Sequence, residues 1–243
     1  MRVTVDCFFD HLEEYPAGAT MVAVDVIRAS TTALTAVVGG RRCFVVRDLD
    51  EAARHAERLE NPFLVGELGG NMPFGFDGTN SPVAVSQLGE PERPLVLLST
   101  SGTRLMTSIA DVTASGYVAC LRNWRAQADA ILRDGPDEVV LLGAGTRGEF
   151  REEDQVCCAW IAAQLTAAGA DANVRTLDLI RRWEGKPVSE IADGKSAAYL
   201  RGSGQLHDLE FVLTHVDDVH RAYVVRGNEI LEEPAPVPAP AGA

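Results

Sequence analysis

Short apolar runs alternating with helix-patterned segments constrain this chain more than any other feature. Val3–Phe9, Met21–Ile27, Cys43–Val46, Phe63–Val65, Leu95–Leu98, Tyr117–Leu121 and Val139–Leu142 each read as a strand. Between them lie helical patterns at Ser30–Val38, Asp48–Glu60, Thr103–Ala110, Trp124–Leu132 and the alanine-rich Glu152–Ala168. This rhythm is the signature of βαβ units, so an α/β fold with a mostly parallel or mixed sheet is expected. Asp48 with Glu51 three positions on predicts a capping box, and Ser81-Pro82 a capped helix start. Further on, Ser196–Leu200 reads as helical, Phe211–Thr214 as extended, and Tyr223–Leu231 as a hairpin turning at Gly227-Asn228. One domain over residues 1–233, with room for two subdomains, is expected. The PAPVPAPAGA tail at 234–243 should be extended and disordered.

Composition narrows the function classes. With 46% hydrophobic and 23% charged residues the chain can build a core. A net charge of −13 argues against non-specific nucleic-acid binding, which needs a surplus of Lys and Arg. No apolar run approaches the roughly 20 residues that span a bilayer, and the first residues do not resemble a signal peptide. A cytoplasmic protein without a membrane partner is expected. The five cysteines form no C-x-x-C pair and read as buried, reduced thiols; only Cys43 has basic neighbours. No histidine spacing suits zinc, and His207 next to Asp208 is the one histidine with site-like surroundings.

In open α/β sheets ligands bind beyond the carboxyl ends of strands. Asp25 is expected inside an apolar strand, where a carboxylate is costly without a partner. Arg28, Ser30, Thr31 and Thr32 follow it and open a helix, a combination that suits a phosphate. Glu67 ends a strand, and Asp77 and Asn80 sit on a glycine-rich loop; carboxylates held this way can coordinate Mg2+. Ser101, Gly102 and Thr103 could form an anion nest. Gly145 allows close backbone approach, Arg147 can pair with a dianion, and Asp154 lies near the start of the long helix. In each case capping or turn formation would account for the same residues. Gly143, Gly145 and Gly148 match the dinucleotide spacing G-x-G-x-x-G, but an acid about 20 residues later would fall inside the long helix, so a dinucleotide fold ranks low. Asn123-Trp124-Arg125 reads as a capped helix start.

DVIRASTT at 25–32, GFDGTNSP at 75–82, SGT at 101–103 and AGTRGEFREED at 144–154 together resemble the 2-phosphosulfolactate phosphatase family, with His207-Asp208-Leu209 a weaker echo. The matches recur in order over about two-thirds of the chain, which makes them more specific than one short motif. The resemblance implies a three-layer α/β/α fold and Mg2+-dependent hydrolysis of a phosphate monoester on a sulfonated hydroxy acid. It places Asp25, Arg28, Glu67, Asp77, Asn80, Gly102, Thr103, Gly145 and Asp154 around the site. Leu68 stands where an arginine is expected, and Ser101 replaces an asparagine, so the phosphatase chemistry is better supported than the particular substrate.

The leading expectation is a Mg2+-dependent phosphatase acting on a small phosphorylated acid. Asp25, Arg28, Glu67 and Asp154 are the candidate catalytic residues. The metal would be held by some of Asp25, Glu67, Asp77 and Asp154. Ser30, Thr31, Thr32, Ser101, Gly102, Thr103, Gly145 and Arg147 would bind phosphate, with Asp77 and Asn80 also lining the site. Attack by water or by Asp25 remains open. The rival is a non-catalytic anion-binding or regulatory protein on the same scaffold. A homodimer is expected only because such dimers are common.

Overall fold

Among the described residues ten strands make one sheet, in the order β4-β5-β3-β10-β9-β6-β2-β7-β1-β8. They are β1 (Arg2–Cys7), β2 (Thr20–Val24), β3 (Cys43–Val46), β4 (Phe63–Gly66), β5 (Leu95–Leu98), β6 (Gly116–Ala119), β7 (Glu138–Gly143), β8 (Asp171–Ala172), β9 (Tyr223–Arg226) and β10 (Glu229–Glu232). The helices are α1 (Ala29–Val38), α2 (Leu49–Arg58), α3 (Pro82–Ser86), α4 (Gly102–Val112), α5 (Trp124–Asp134), α6 (Glu152–Ala167), α7 (Val174–Trp183), α8 (Lys195–Gly202) and α9 (Leu206–Thr214). This computed structural model describes residues 1–7, 11–114, 116–146 and 148–233. The end of the first expected strand (Phe8, Phe9), Arg147 and the Pro/Ala tail lie outside the described residues.

The architecture is three layers, α/β/α, around a mixed, mostly parallel sheet. Strands β4, β5 and β3 run parallel to one another, as do β6, β2, β7, β1 and β8. The β9–β10 hairpin lies between the two blocks and pairs antiparallel with both, β10 to β3 and β9 to β6. The blocks therefore run in opposite senses. A twist of about 20–25° per strand, accumulated over the steps from β5 to β2, turns their carboxyl ends toward a common side.

Both faces of the sheet are covered, which is why its strands read as unbroken apolar runs. The two-residue alternation of strands sorts β3 and β5 cleanly. Val45, Leu95 and Leu97 join the main core, while Val46, Val96 and Leu98 pack under α2 with Ala52. Helix α4 lies against β2, β3, β6 and β9, and α6 against β1, β2 and β7. Asp48 caps α2 by accepting from Glu51 N at 2.7 Å, but the Glu51 carboxylate reaches back to Arg47 N rather than to Asp48 N, so the capping box is shifted by one residue. Ser81 caps α3 as expected.

Three expectations need correction. Phe211–Thr214 belongs to α9: Leu206, Leu209, Val212 and Leu213 keep helical spacing, and four β-prone residues are too short a window to decide. Asp25 is not within its strand but one residue past β2. Helix α7, capped by Asn173, and the short β8 were not read from the sequence at all. All five cysteines are free, and burial pushes the Cys43 thiol up to about 12, which leaves it inert despite its basic neighbours. Among the described residues no helix is long and apolar enough to cross a membrane.

Candidate active site

Loops leaving β2, β4, β5 and β7 meet at one cleft of about 470 Å³, closed on one side by α8. The first loop builds its floor. Beyond β2, Asp25 O accepts from Ser30 N at 2.9 Å and Asp25 N donates to Ser30 Oγ at 3.0 Å, so the turn into α1 is stitched by its own residues. Asp25 Oδ1 accepts from Ala29 N at 3.1 Å. Its Oδ2 has no donor among the described residues and faces the start of α4. A Cβ on Gly102 would stand 2.1 Å from it, so only glycine fits there. Burial pushes the Asp25 carboxyl up to about 7, with Glu67 and Glu153 adding to the rise; the Ala29 amide and Arg28 oppose it.

Arg28 lines the cleft on a side chain only 5% exposed. Its partner is not Asp25. Nη1 donates to Asp208 Oδ2 at 2.5 Å and to Gln205 Oε1, both contributed by α9 and the residue before it. Asp208 is fully buried, and its other oxygen accepts from Ser81 Oγ at 2.6 Å. The clamp leaves Arg28 Nε and Nη2 without a protein acceptor among the described residues. The Ile27–Arg28 peptide is cis.

Glu67 closes the second wall. Its Oε1 accepts from Thr100 N at 2.7 Å, and Oε2 from Thr100 Oγ1 at 2.8 Å and Gly70 N at 2.7 Å, tying the β4 loop to the β5 loop. Asn80 lines the cleft almost fully buried, and its Oδ1 has no hydrogen-bond partner. Ser101 lines the cleft at the start of α4, whereas Thr103 is buried beneath it in a reciprocal exchange with Ser99.

Other residues singled out in the sequence stand elsewhere. The Ser30, Thr31 and Thr32 side chains are buried; Thr31 Oγ1 donates to Val26 O and Thr32 Oγ1 to Asn80 O. Their hydroxyls hold the fold around the site and do not line the cleft. Asp77 is exposed, outside the cleft, and accepts from Leu64 N at 2.8 Å. Asp154 lies under the site: Oδ1 accepts from Val26 N at 2.8 Å, and burial with Asp25 and Glu153 nearby holds its carboxyl well above the usual range. Gly145 sits at φ +58 beside Asp154, outside the cleft, and its amide opposes that rise. His207 is half-exposed and does not line the cleft. Asn123 is buried at the start of α5, but its side chain caps no amide of the helix; it accepts from Cys120 N and donates to Val118 O in the preceding turn.

Glu149 and Arg151, which lie within the AGTRGEFREED segment but carry no pattern of their own, line the cleft with Lys195 and Tyr199, which no motif marks. Tyr199 Oη donates to Gly70 O at 2.8 Å and so joins α8 to the β4 loop. Glu153 was also missed; it is buried, its Oε2 is unpartnered, and burial raises its carboxyl.

The four carboxylates expected to share a metal are not gathered. Asp77 is remote, Asp154 is buried beneath the cleft and does not line it, and among the described residues no three His, Cys, Asp or Glu side chains are grouped as a ligand set. Two of the four, Asp25 and Glu67, do line the cleft. Mg2+ is commonly held by one or two carboxylates with water and phosphate oxygens completing its shell, and the raised Asp25 carboxyl with its free Oδ2 suits such an ion.

Fold and cleft together define a three-layer α/β protein with a charged cleft at its strand ends, the layout of many α/β enzymes. The family described as 2-phosphosulpholactate phosphatase matches residues 9–221. A protein of Synechococcus sp. (strain WH7803) named probable 2-phosphosulfolactate phosphatase is 34% identical over 197 residues, 78% of this chain and 79% of its own. A protein of Deinococcus radiodurans with the same name is 31% identical over 215 residues, covering 87% and 88% of the two chains. The chain belongs to the 2-phosphosulfolactate phosphatase family, and membership in a phosphatase family is consistent with hydrolase activity.

Proposed function

We propose that this chain is a Mg2+-dependent phosphatase that hydrolyses a small phosphate monoester of the 2-phosphosulfolactate kind. The observation that carries the reading is the Arg28 clamp. Asp208 and Gln205 fix one end of a buried guanidinium and leave Nε and Nη2 for the oxygens of a phosphoryl group in the cleft. A guanidinium held in place needs no reorganisation when charge builds on that group, which is where electrostatic stabilisation is most effective. Asp25 Oδ2 and Glu67 would hold Mg2+; when bound, the ion polarises phosphoryl oxygens and water. Without the ion Asp25 gives up its proton only as pH rises through about 7, so the cation also offsets the cost of burying its charge. The α8 wall limits access of bulk water.

Release of inorganic phosphate from 2-phosphosulfolactate, 2-phospholactate and phosphoglycolate, with Mg2+ and with EDTA, tests the reading. Mg2+-dependent release should be lost in Asp25→Asn and Glu67→Gln proteins that still fold. Near-normal turnover in both at saturating Mg2+ would remove the metal assignment. Tight binding of these esters with no release from any of them would favour the non-catalytic anion-binding alternative.

A further inference from the structure

Two cations in the cleft have no part in that reaction. Lys195 Nζ donates to Glu149 Oε1 at 2.6 Å, and Arg151 Nη1 donates to Glu149 Oε2 at 3.1 Å. The three residues come from separate pieces of chain: the turn after β7, the residue before α6, and the first residue of α8. Arg151 is 13% exposed, and its Nε is buried with no partner among the described residues. It therefore has donor capacity that Glu149 does not use. Lys195 and Glu149 are 64% and 45% exposed, so their ion pair is weak and exchanges readily with solvent. A carboxylate bracketed by two cations on a cleft wall occupies the place that an acidic group of a ligand would take.

We propose that Arg151 and Lys195 form a second-anion subsite, that it recognises a carboxylate or sulfonate on the substrate, and that Glu149 fills it when no ligand is bound. The substrate class follows: phosphate monoesters of small acids, with phosphate at Arg28 and the second anion at Arg151 and Lys195. The cleft of about 470 Å³ falls in the usual range for small-molecule sites and exceeds what orthophosphate alone requires. A planar guanidinium fork beside a mobile ammonium accepts either anion, since both present coplanar or near-coplanar oxygen pairs. Glu149 supplies discrimination: an ester without a second anion leaves the pair closed, whereas a phosphorylated acid displaces it.

The substrate class rests on the phosphatase reading, but the subsite does not, and the test separates them. Turnover of 2-phosphosulfolactate, 2-phospholactate and phenyl phosphate is compared in wild type, Lys195→Gln and Glu149→Gln. Lys195 is exposed, so its replacement leaves the fold intact. Lys195→Gln should lower kcat/KM for the two phosphorylated acids, relative to phenyl phosphate, by about tenfold or more, through KM. Glu149→Gln should shift the same ratio in the opposite direction. The two acids distinguish carboxylate from sulfonate as the group recognised. Equal effects of Lys195→Gln on all three esters would overturn the subsite while leaving the phosphatase reading in place. Binding of 3-sulfolactate, followed by calorimetry, covers the converse case. If wild type hydrolyses no ester, weaker 3-sulfolactate binding by Lys195→Gln still supports the subsite, and unchanged binding overturns it.

Discussion

Arg28 and Asp25 are close in sequence but answer to different partners. Arg28 is clamped by Asp208, so Arg28→Ala strands a fully buried carboxylate, a change that typically costs about 3–5 kcal/mol. That variant should lose both stability and turnover. Arg28→Lys is more informative. An ammonium can still neutralise Asp208, but it has no Nε and Nη2 to offer the cleft. We expect a melting temperature near wild type and kcat/KM reduced by about 30-fold or more. Wild-type efficiency in Arg28→Lys would dismiss the guanidinium from phosphoryl binding. Asp25 makes a separate forecast. Its folded value of about 7 lies above the ordinary 3.8. Between these values the folded state keeps a proton that the unfolded chain has released, so the stability Asp25 contributes is complete at low pH and is lost as pH rises through about 7. In EDTA, Asp25→Asn should therefore gain melting temperature relative to wild type as pH rises from about 4 to about 7 and keep a constant difference above that, by a few degrees for a chain of this size. A difference that is flat with pH would contradict the raised value. These two residues were legible because a charge at the end of an apolar run needs a reason. The pairing of Arg28 with Asp208 was not, even though His207-Asp208-Leu209 stood out as an echo, since the two lie 180 residues apart and no local pattern links them. The hydroxyls of Ser30, Thr31 and Thr32 were legible as a helix start but ambiguous in direction, because the same groups serve a cap or a ligand.

At the scale of elements, the start of α4 is the tightest junction in the site. A Cβ at Gly102 would stand 2.1 Å from Asp25 Oδ2 and 2.6 Å from Ala29 Cβ, closer than any side chain tolerates. Gly102→Ala should push α4 away from the β2 loop and cost most of the turnover, although alanine is the better helix former. Retained activity with a raised melting temperature would mean that the junction yields freely. Helix α8 is bound to the opposite loops by Tyr199 on Gly70 and Lys195 on Glu149. Strands and their following helices were readable because their apolar runs are long enough to show period. From α7 to α9 only α8 was legible, as the helical pattern at Ser196–Leu200; α7 has a large polar face, and α9 presents Phe211–Thr214 as a β-like string. The place of α8 on the cleft wall was not legible, because no local pattern sets a helix against a loop 129 residues away.

At the scale of the molecule, the feature that organises the rest is the hairpin. Two parallel blocks of opposite sense cannot pair directly as a parallel sheet, and β9 and β10 supply the antiparallel seam between β6 and β3. Tyr223 and Ile230 are buried there. The hairpin itself was visible from Gly227-Asn228, but its central position was not, because chain order says nothing about strand order. A chain ending after residue 221 would retain the whole family-matching segment and lose the seam. It should show no cooperative thermal transition and should collect in the insoluble fraction; a sharp melt near that of the full chain would show that the blocks hold together unaided.

The same seam sets a schedule for biosynthesis. Among the described residues, its two strands leave the ribosome after every other strand, including both that they must join. Until then β3 and β6 each wait with an open edge, the kind of surface that recruits foreign strands. The nascent protein is thus exposed to misassembly over the roughly one hundred residues made between β6 and β9, and the closing hairpin ends that exposure in one step.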